Sequence, residues 1–523
     1  MRSLLPEKRE IFLLCFCLSV YFLAYHIDTS LDVLGIDPAA TKGAVLSRLG
    51  LGVKHIGKDG LKTSGWKDAL ELAIYGDYEW TAGHVAGDGS ERSQLKGVGE
   101  HSAQWVASKD LKDIGGVETE FGDKTVNDAL LRWEGDPPLT QIVTHVSGYT
   151  VLDNVYVFNG TVYLVSDNPQ AFPATSTIVT TKGTGIKGWK TVSKEDALKI
   201  LGKHGAIIRG VSWLSADTKP HNSTMFALWK TYSSLDTSID SFGHTSLPPP
   251  RRLIFPHSRV FTDKNPPFDD HEIPRRRVDT GFHPFTLKAA FPQISVQYFE
   301  DFEDFQQMEV PFLYERLVVA DRGVALEAVQ KNEPVYAPTL LLTGSEHWWE
   351  PIRKNLAEFL ELYDVPQKKP SITYLHTQNT PAAQLSAEDH DTLVDALERL
   401  AKRNGFELHV VSTTTEQTDW SDRMAAIVKS SVVIGVHGDH LMDALFMRRT
   451  PHSALLELFP QDKFVLDRER AARSIGLSYT AVRQNNAYHG KALPVVSAPK
   501  DSDSIAIDVD TISKAVTAAF SLS

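Results

Sequence analysis

From Ile372 onward the apolar positions switch repeatedly between two periods. Ile372–Leu375, Glu407–Val411, Val432–Val436 and Ala454–Phe459 read as short β-branched strands. Between them Asp389–Asn404, Trp420–Ser430 and Leu441–Met447 carry helical apolar spacing. Strand and helix in strict alternation predict a parallel sheet covered by crossover helices. Upstream the pattern is more varied. Val155–Phe158 and Thr161–Val165 flank Asn159-Gly160, a hairpin signal with a type I′ turn. Ser193-Lys-Glu-Asp196 is a capping box ahead of Ala197–Leu201, and Ala206–Val211 and Phe312–Ala320 come after it as strands. Pro248–Pro284 is rich in proline and charge and reads as a long surface loop, and Trp348–Leu362 as a helix crossing between two halves.

One βαβ unit carries chemistry. After Val432–Val436, His437-Gly438 breaks the strand and the next helix starts at once. A helix opening at the carboxyl end of a parallel strand aims unpaired N–H groups and its positive dipole end at the crevice where such sheets bind phosphorylated ligands. The segment therefore reads as a seat for a diphosphate.

At Gly435, His437, Gly438, Leu441, Leu445, Phe446, Met447, Glu457 and Pro460 the chain resembles glycosyltransferase family 61, whose signature runs strand, Gly-x-His-Gly-x-Gly-Leu-Thr, helix, strand with Glu. Asp439, His440 and Met442 depart from that pattern, so this loop is bulkier and more polar. A second stretch, Asn222–Asp236 and then Leu247–Pro256 with its Pro-Pro-Arg-Arg turn, is similar to the fungal branch of the family. The resemblance spans roughly residues 140 to 490. It implies a GT-B-like α/β fold of two Rossmann-like lobes. It also implies metal-independent, inverting transfer of a sugar from a nucleotide donor such as UDP-xylose or UDP-GlcNAc to a glycan or glycoprotein, with no cofactor. The rival expectation is a catalytically inactive, glycan-binding relative of the same fold.

Composition narrows the setting. Of 523 residues 42% are hydrophobic, enough for two or three domains with a substantial core. The formal charge of -12 argues against nucleic acid or an anionic membrane as the main partner. Ile11–Ile27 is an apolar run preceded by Arg2, Lys8 and Arg9, which predicts a type II signal anchor in a Golgi or endoplasmic-reticulum membrane, a cleaved signal peptide being the alternative. Both cysteines, Cys15 and Cys17, fall inside it, so the luminal body has no disulfide. The sequons at Asn159 and Asn222 suit a luminal body. The expected organisation is a cytoplasmic tail (1–10), transmembrane anchor (11–27), luminal stem (28–140), acceptor-side lobe (141–345), nucleotide-sugar lobe (346–500) and tail helix (501–523) in which Asp510 caps Thr511–Phe520.

For the site, the expected catalytic residues are His437, donating to the leaving diphosphate, and His221, the base for the acceptor hydroxyl. Gly435, Gly438, Asp439, His440, Glu457 and Arg423 are expected to meet the nucleotide sugar, Glu457 through ribose hydroxyls. The resemblance implies an arginine-bearing loop where this chain has His376, Thr377 and Gln378; of the next arginines, Arg399, Arg403 and Arg423, the expected substitute is Arg423, close before the signature helix. Asp439 reads as a cap of the helix after it; alternatively Asp439, His440 and Asp443 join His437 around a metal. Two patterns carry no weight. Gly183–Gly188 fits a dinucleotide fingerprint but opens no helix, and the acidic pairs at Asp501 and Asp508 lie in the tail.

Overall fold

The computed structural model describes residues 130 to 521, apart from 134, 184, 263–276, 364, 367–368, 381, 415 and 498–503, together with Cys15 and Phe16. Apart from Cys15 and Phe16, the anchor expected over 11–27 lies outside the described residues, as does nearly all of the stem. Among the described residues no helix is long and apolar enough to cross a membrane. Everything from Leu130 onward belongs to one compact unit, Ala129–Ser523. It is a mixed α/β fold with two parallel-rich sheets, and among the described residues neither sheet closes into a barrel.

The first sheet has nine strands: β1 (Leu130–Arg132), β2 (Gln141–Val146), β3 (Tyr149–Phe158), β4 (Thr161–Val165), β5 (Gly188–Val192), β6 (His204–Ser215), β7 (Pro250–Ile254), β8 (Ser295–Gln297) and β9 (Phe312–Ala320). Their order is β5-β4-β3-β9-β6-β7-β8, with β2 on β3 and β1 on β6. The expected hairpin is there: Asn159 (φ 48) and Gly160 (φ 73) both take the left-handed conformation that a type I′ turn requires. The proline-rich stretch is not all loop. Pro250–Ile254 pairs in parallel with β6, the missing N–H of Pro250 falling at the first residue of the strand, where proline is tolerated. The sheet also begins upstream of residue 141, because Leu130–Arg132 pairs antiparallel with β6.

The second sheet keeps to the alternation read from the sequence: β10 (Ser371–His376), then β11 (Gln384–Leu385) outside it, β12 (Glu407–Ser412), β13 (Val432–Val436), β14 (Ala454–Leu458), β15 (Ser478–Arg483) and β16 (Asn486–His489). Strand β11 pairs instead with β17 (Ser504–Ile505). The order β12-β10-β13-β14-β15-β16 is parallel except for β16, which returns antiparallel on β15. The register places Gly435 opposite Glu457 and Val436 opposite Leu458, so two neighbouring strands end side by side.

Among the helices packed around the two sheets are α1 (Asn222–Ser233), α2 (Glu350–Phe359), α3 (Ala387–Asn404), α4 (Trp420–Lys429), α5 (Asp467–Ser474) and α6 (Val509–Ser521). Leu393 and Leu397 of α3 and Ile512 and Val516 of α6 cover one face of the second sheet. Its other face, with α4 and α5, shares a single core with α1 and the first sheet. This explains why every residue of α1 after Asn222 is buried: the helix is covered on all sides. Its hydroxyls are satisfied locally, Thr231 donating to the Ala227 carbonyl at 2.7 Å. Aromatic side chains join the two halves. Phe226 meets Tyr336, Trp348 and Trp349, and the indole N–H groups of the two tryptophans donate to Ser474 and Leu445 carbonyls at 2.9 Å each.

Two local expectations are corrected. The segment after Gly438 is a 3₁₀ helix, Asp439–Phe446, rather than an α-helix over 441–447. Such short helices are common as connectors. In the tail, Asp508 rather than Asp510 takes the Thr511 N–H, at 3.1 Å, because Asp510 already lies inside the first turn of α6.

Candidate functional site

Because β13 and β14 end together, His437 and Glu457 lie next to each other at the carboxyl edge of the second sheet. The His437 N–H donates to the Leu458 carbonyl at 2.8 Å, fixing the turn. Its ring Nδ1 is 2.6 Å from Glu457 Oε1, and the ring stacks on Phe459 with centroids 4.8 Å apart. Glu457 is 0% exposed. Its second oxygen accepts from the Tyr479 hydroxyl of β15 at 2.6 Å. Arg468, in the first turn of α5, closes the cluster: Nε donates to Glu457 Oε1 at 3.2 Å and Nη1 to Asp439 Oδ1 at 3.2 Å. Burial alone would push the Glu457 carboxyl up, but Arg468 and His437 outweigh it, and the net is below the ordinary carboxylate range. Burial likewise opposes the charge on Arg468, yet Glu457, Asp467 and Asp439 hold its proton more firmly than usual. A buried pair this well matched stays ionised at neutral pH.

Hydrogen bonds assign the tautomers. A carboxylate oxygen at 2.6 Å demands a proton on His437 Nδ1. The neutral ring therefore carries its lone pair on Nε2, which has no protein partner among the described residues. Arg468 Nη2, 3.1 Å from the same Nδ1, then contributes proximity and charge rather than a hydrogen bond. His221 is the reverse case. It caps α1, and its Nδ1 accepts the Ser223 N–H at 3.1 Å, so the proton of the neutral ring sits on Nε2. Half-buried, His221 has its pKa lowered by desolvation and by Arg322, while Asp439, Asp467 and Arg468 of the other half also act on it. The two imidazoles thus share one electrostatic environment, His437 offering an acceptor and His221 a donor. That polarity is opposite to the roles expected from the sequence.

The other expected residues take different places. Gly435 is buried within β13, where a Cβ would come 2.5 Å from the Leu441 side chain; it serves packing against the 3₁₀ helix. Gly438 is extended, and a Cβ there would strike the His440 ring at 2.7 Å. The His440 ring turns inward, its Nε2 buried without a protein partner, and desolvation, helped by Arg468, pushes its pKa down to about 4. Asp439 does not cap: no side chain caps this helix, and its carboxylate goes to Arg468 instead. Glu457 has both oxygens occupied inside the protein, so ribose contact does not fit its position; it orients His437. Arg423 is buried, donating to the Thr413 carbonyl at 2.8 Å and lying 3.5 Å from Asp443 behind the 3₁₀ helix. His376 is the last residue of β10, and Thr377 and Gln378 follow it, donating to the Ala383 and Leu385 carbonyls. With Asp439 on Arg468 and Asp443 on Arg423, no group of three metal-ligating side chains occurs among the described residues. Asn159 is exposed on its hairpin, whereas Asn222 opens a buried helix.

Sequence reasoning missed Arg468 and Tyr479. The alternation that places a helix after β13 places another after β14, and an arginine in the first turn of that helix, at the same sheet edge, is the signal that points to Arg468. Comparison of the chain with protein-family models finds no match, and comparison with curated proteins finds none either.

Proposed function

We infer that this edge of the second sheet is the active site of an inverting glycosyltransferase using a nucleotide-sugar donor, UDP-xylose or UDP-GlcNAc, and a glycan or glycoprotein acceptor in the secretory pathway. The finer fold reading goes with it: two Rossmann-like lobes of GT-B type, each contributing one parallel-rich sheet. The observation that carries the proposal is the Glu457–His437 dyad, a buried carboxylate 2.6 Å from Nδ1 of an imidazole whose Nε2 has no protein partner among the described residues. This is the arrangement of a general base.

In the reaction the acceptor hydroxyl loses its proton to His437 Nε2 as its oxygen bonds to the anomeric carbon. The bond from that carbon to the diphosphate oxygen breaks with its electron pair, inverting the center. His221 Nε2–H is the donor facing the developing diphosphate charge, with the backbone N–H groups that open the 3₁₀ helix. Glu457 stabilises the imidazolium formed, and Arg468 keeps Glu457 ionised.

Sugar transfer by wild type and His437→Gln tests the proposal, with donor hydrolysis as a second readout. Removing a general base costs about 10²- to 10⁴-fold; turnover within a few-fold of wild type excludes the role. One observation favors the rival reading of an inactive, sugar-binding protein: Asp439 occupies a donor of Arg468 and brings a carboxylate to the mouth of the site. A UDP-sugar that raises the melting temperature while neither transfer nor hydrolysis occurs would establish it.

A further inference from the structure

The opposite edge of the second sheet holds a cavity of about 890 Å³. Pro366, Lys429, Arg449 and Gly476, which line it, precede β10, β13, β14 and β15, so it opens at the amino ends of the strands. His437 and Glu457 stand at the carboxyl ends of their strands, at the other edge. Helix α2 forms a wall through Arg353 and Lys354.

The lining is strongly cationic. Arg353, Lys354, Lys429, Arg448 and Arg449 face Glu350 and Glu407, in a chain whose formal charge is -12. Glu350 is already committed to Arg353 Nη1. Arg353 is 5% exposed, and its Nε and Nη2 are buried without a partner. A buried cationic donor left unpaired costs a large desolvation penalty, which a bound anion would offset. Arg449 is set beside it by a backbone device. Gly476 has φ +81, and a Cβ there would come 2.5 Å from Arg449 Nε, so glycine lets the guanidinium lie close over the chain. Arg449 Nη1 is also 3.0 Å from His347 Nδ1 and its Nη2 is 3.5 Å from the exposed Glu346 carboxylate, which together orient it. Phe242, 63% exposed, and Tyr363 add ring surface at the rim.

We propose that this cavity is a second ligand site, binding a small molecule that carries a phosphoryl group through the guanidinium forks of Arg353 and Arg449. Guanidinium matches phosphate oxygens bidentately, and the volume suits a small organic ligand. The site stands apart from the proposed transfer chemistry and does not depend on it.

Calorimetric titration of the purified full chain with pyrophosphate tests this. Binding is expected, with affinity at least tenfold weaker in Arg448→Ala/Arg449→Ala and unchanged in Lys190→Ala, which removes an exposed lysine from edge strand β5 of the first sheet. Arg448 is exposed, so Arg448→Glu is a second variant whose fold is safe, and it too should weaken binding. Absence of binding to wild type overturns the proposal. Binding kept at wild-type affinity in both cavity variants places the anion elsewhere and overturns the proposal equally. Complete displacement by chloride at matched ionic strength would mean a nonspecific cationic patch.

Discussion

Glu457 and Arg468 stand or fall together, and a double-mutant cycle measures how strongly. Both side chains are nearly inaccessible, at 0% and 7% exposure, with 3.2 Å between Nε and Oε1. At that separation the attraction is about 5 kcal/mol for an effective dielectric of ~20. Removing one member leaves the other buried without its counter-charge, which costs about 3–5 kcal/mol. Glu457→Gln keeps the shape and an acceptor for Tyr479 but strands Arg468. Arg468→Met keeps much of the stem and strands Glu457, while Asp439, 67% exposed, is left to water at little cost. In Glu457→Gln/Arg468→Met no charge is stranded, so the double variant should be less destabilised than the sum of the singles by about 2–3 kcal/mol. Guanidinium unfolding monitored by tryptophan fluorescence reads this from the midpoints at constant slope. The pH dependence adds a sign. Glu457 has a folded pKa below its ordinary value, so its contribution is fully present above the ordinary glutamate range and is lost as pH falls through the folded value. In Arg468→Met the carboxyl is buried without its cation and its pKa rises, so that variant should become relatively more stable as pH falls toward the carboxylate range. Single-variant costs that add within about 0.5 kcal/mol would refute the coupling, and with it the account of how His437 is held.

The same geometry fixes three other outcomes. The His440 pKa is about 4 when folded and 6.5 when free, so the unfolded chain binds more protons between those values and stability is lost as pH drops across that window. Because the residue is only partly inaccessible, the loss is of order 2 kcal/mol, and His440→Leu should flatten it in unfolding curves taken from pH 7 to 4. Gly160→Ala places a Cβ at φ 73 and 3.0 Å from Gln306, and should lower stability by about 1–2 kcal/mol by calorimetry without altering transfer. Sugar transfer should persist in excess EDTA, since Asp439 and Asp443 are held by arginines; activity abolished by EDTA and restored by Mn²⁺ would reverse that reading.

The second sheet was legible along the chain because each strand and its crossover helix are local: β-branched runs bounded by breaks give β10, β12, β13 and β14 to within two residues of their observed ends. The Asn159-Gly160 turn was legible for the same reason, since only a few residue types accept its dihedrals. Local pattern therefore established the edge at which His437 stands, and that Glu457 comes close to it. It could not establish what Glu457 does there. Whether a strand-end carboxylate faces solvent or a buried arginine depends on α5 and β15, which approach only once the sheet is assembled. Arg423 and Arg468 look alike in the sequence; packing turns the first toward Thr413 and Asp443 and the second into the site. The assignment of protons was likewise tertiary. His221 becomes a donor because it caps a helix, and His437 an acceptor because a strand neighbour supplies the carboxylate that claims its other nitrogen. Period and turn chemistry are properties of neighbours in the chain, whereas the charge and protonation of a site belong to neighbours in space.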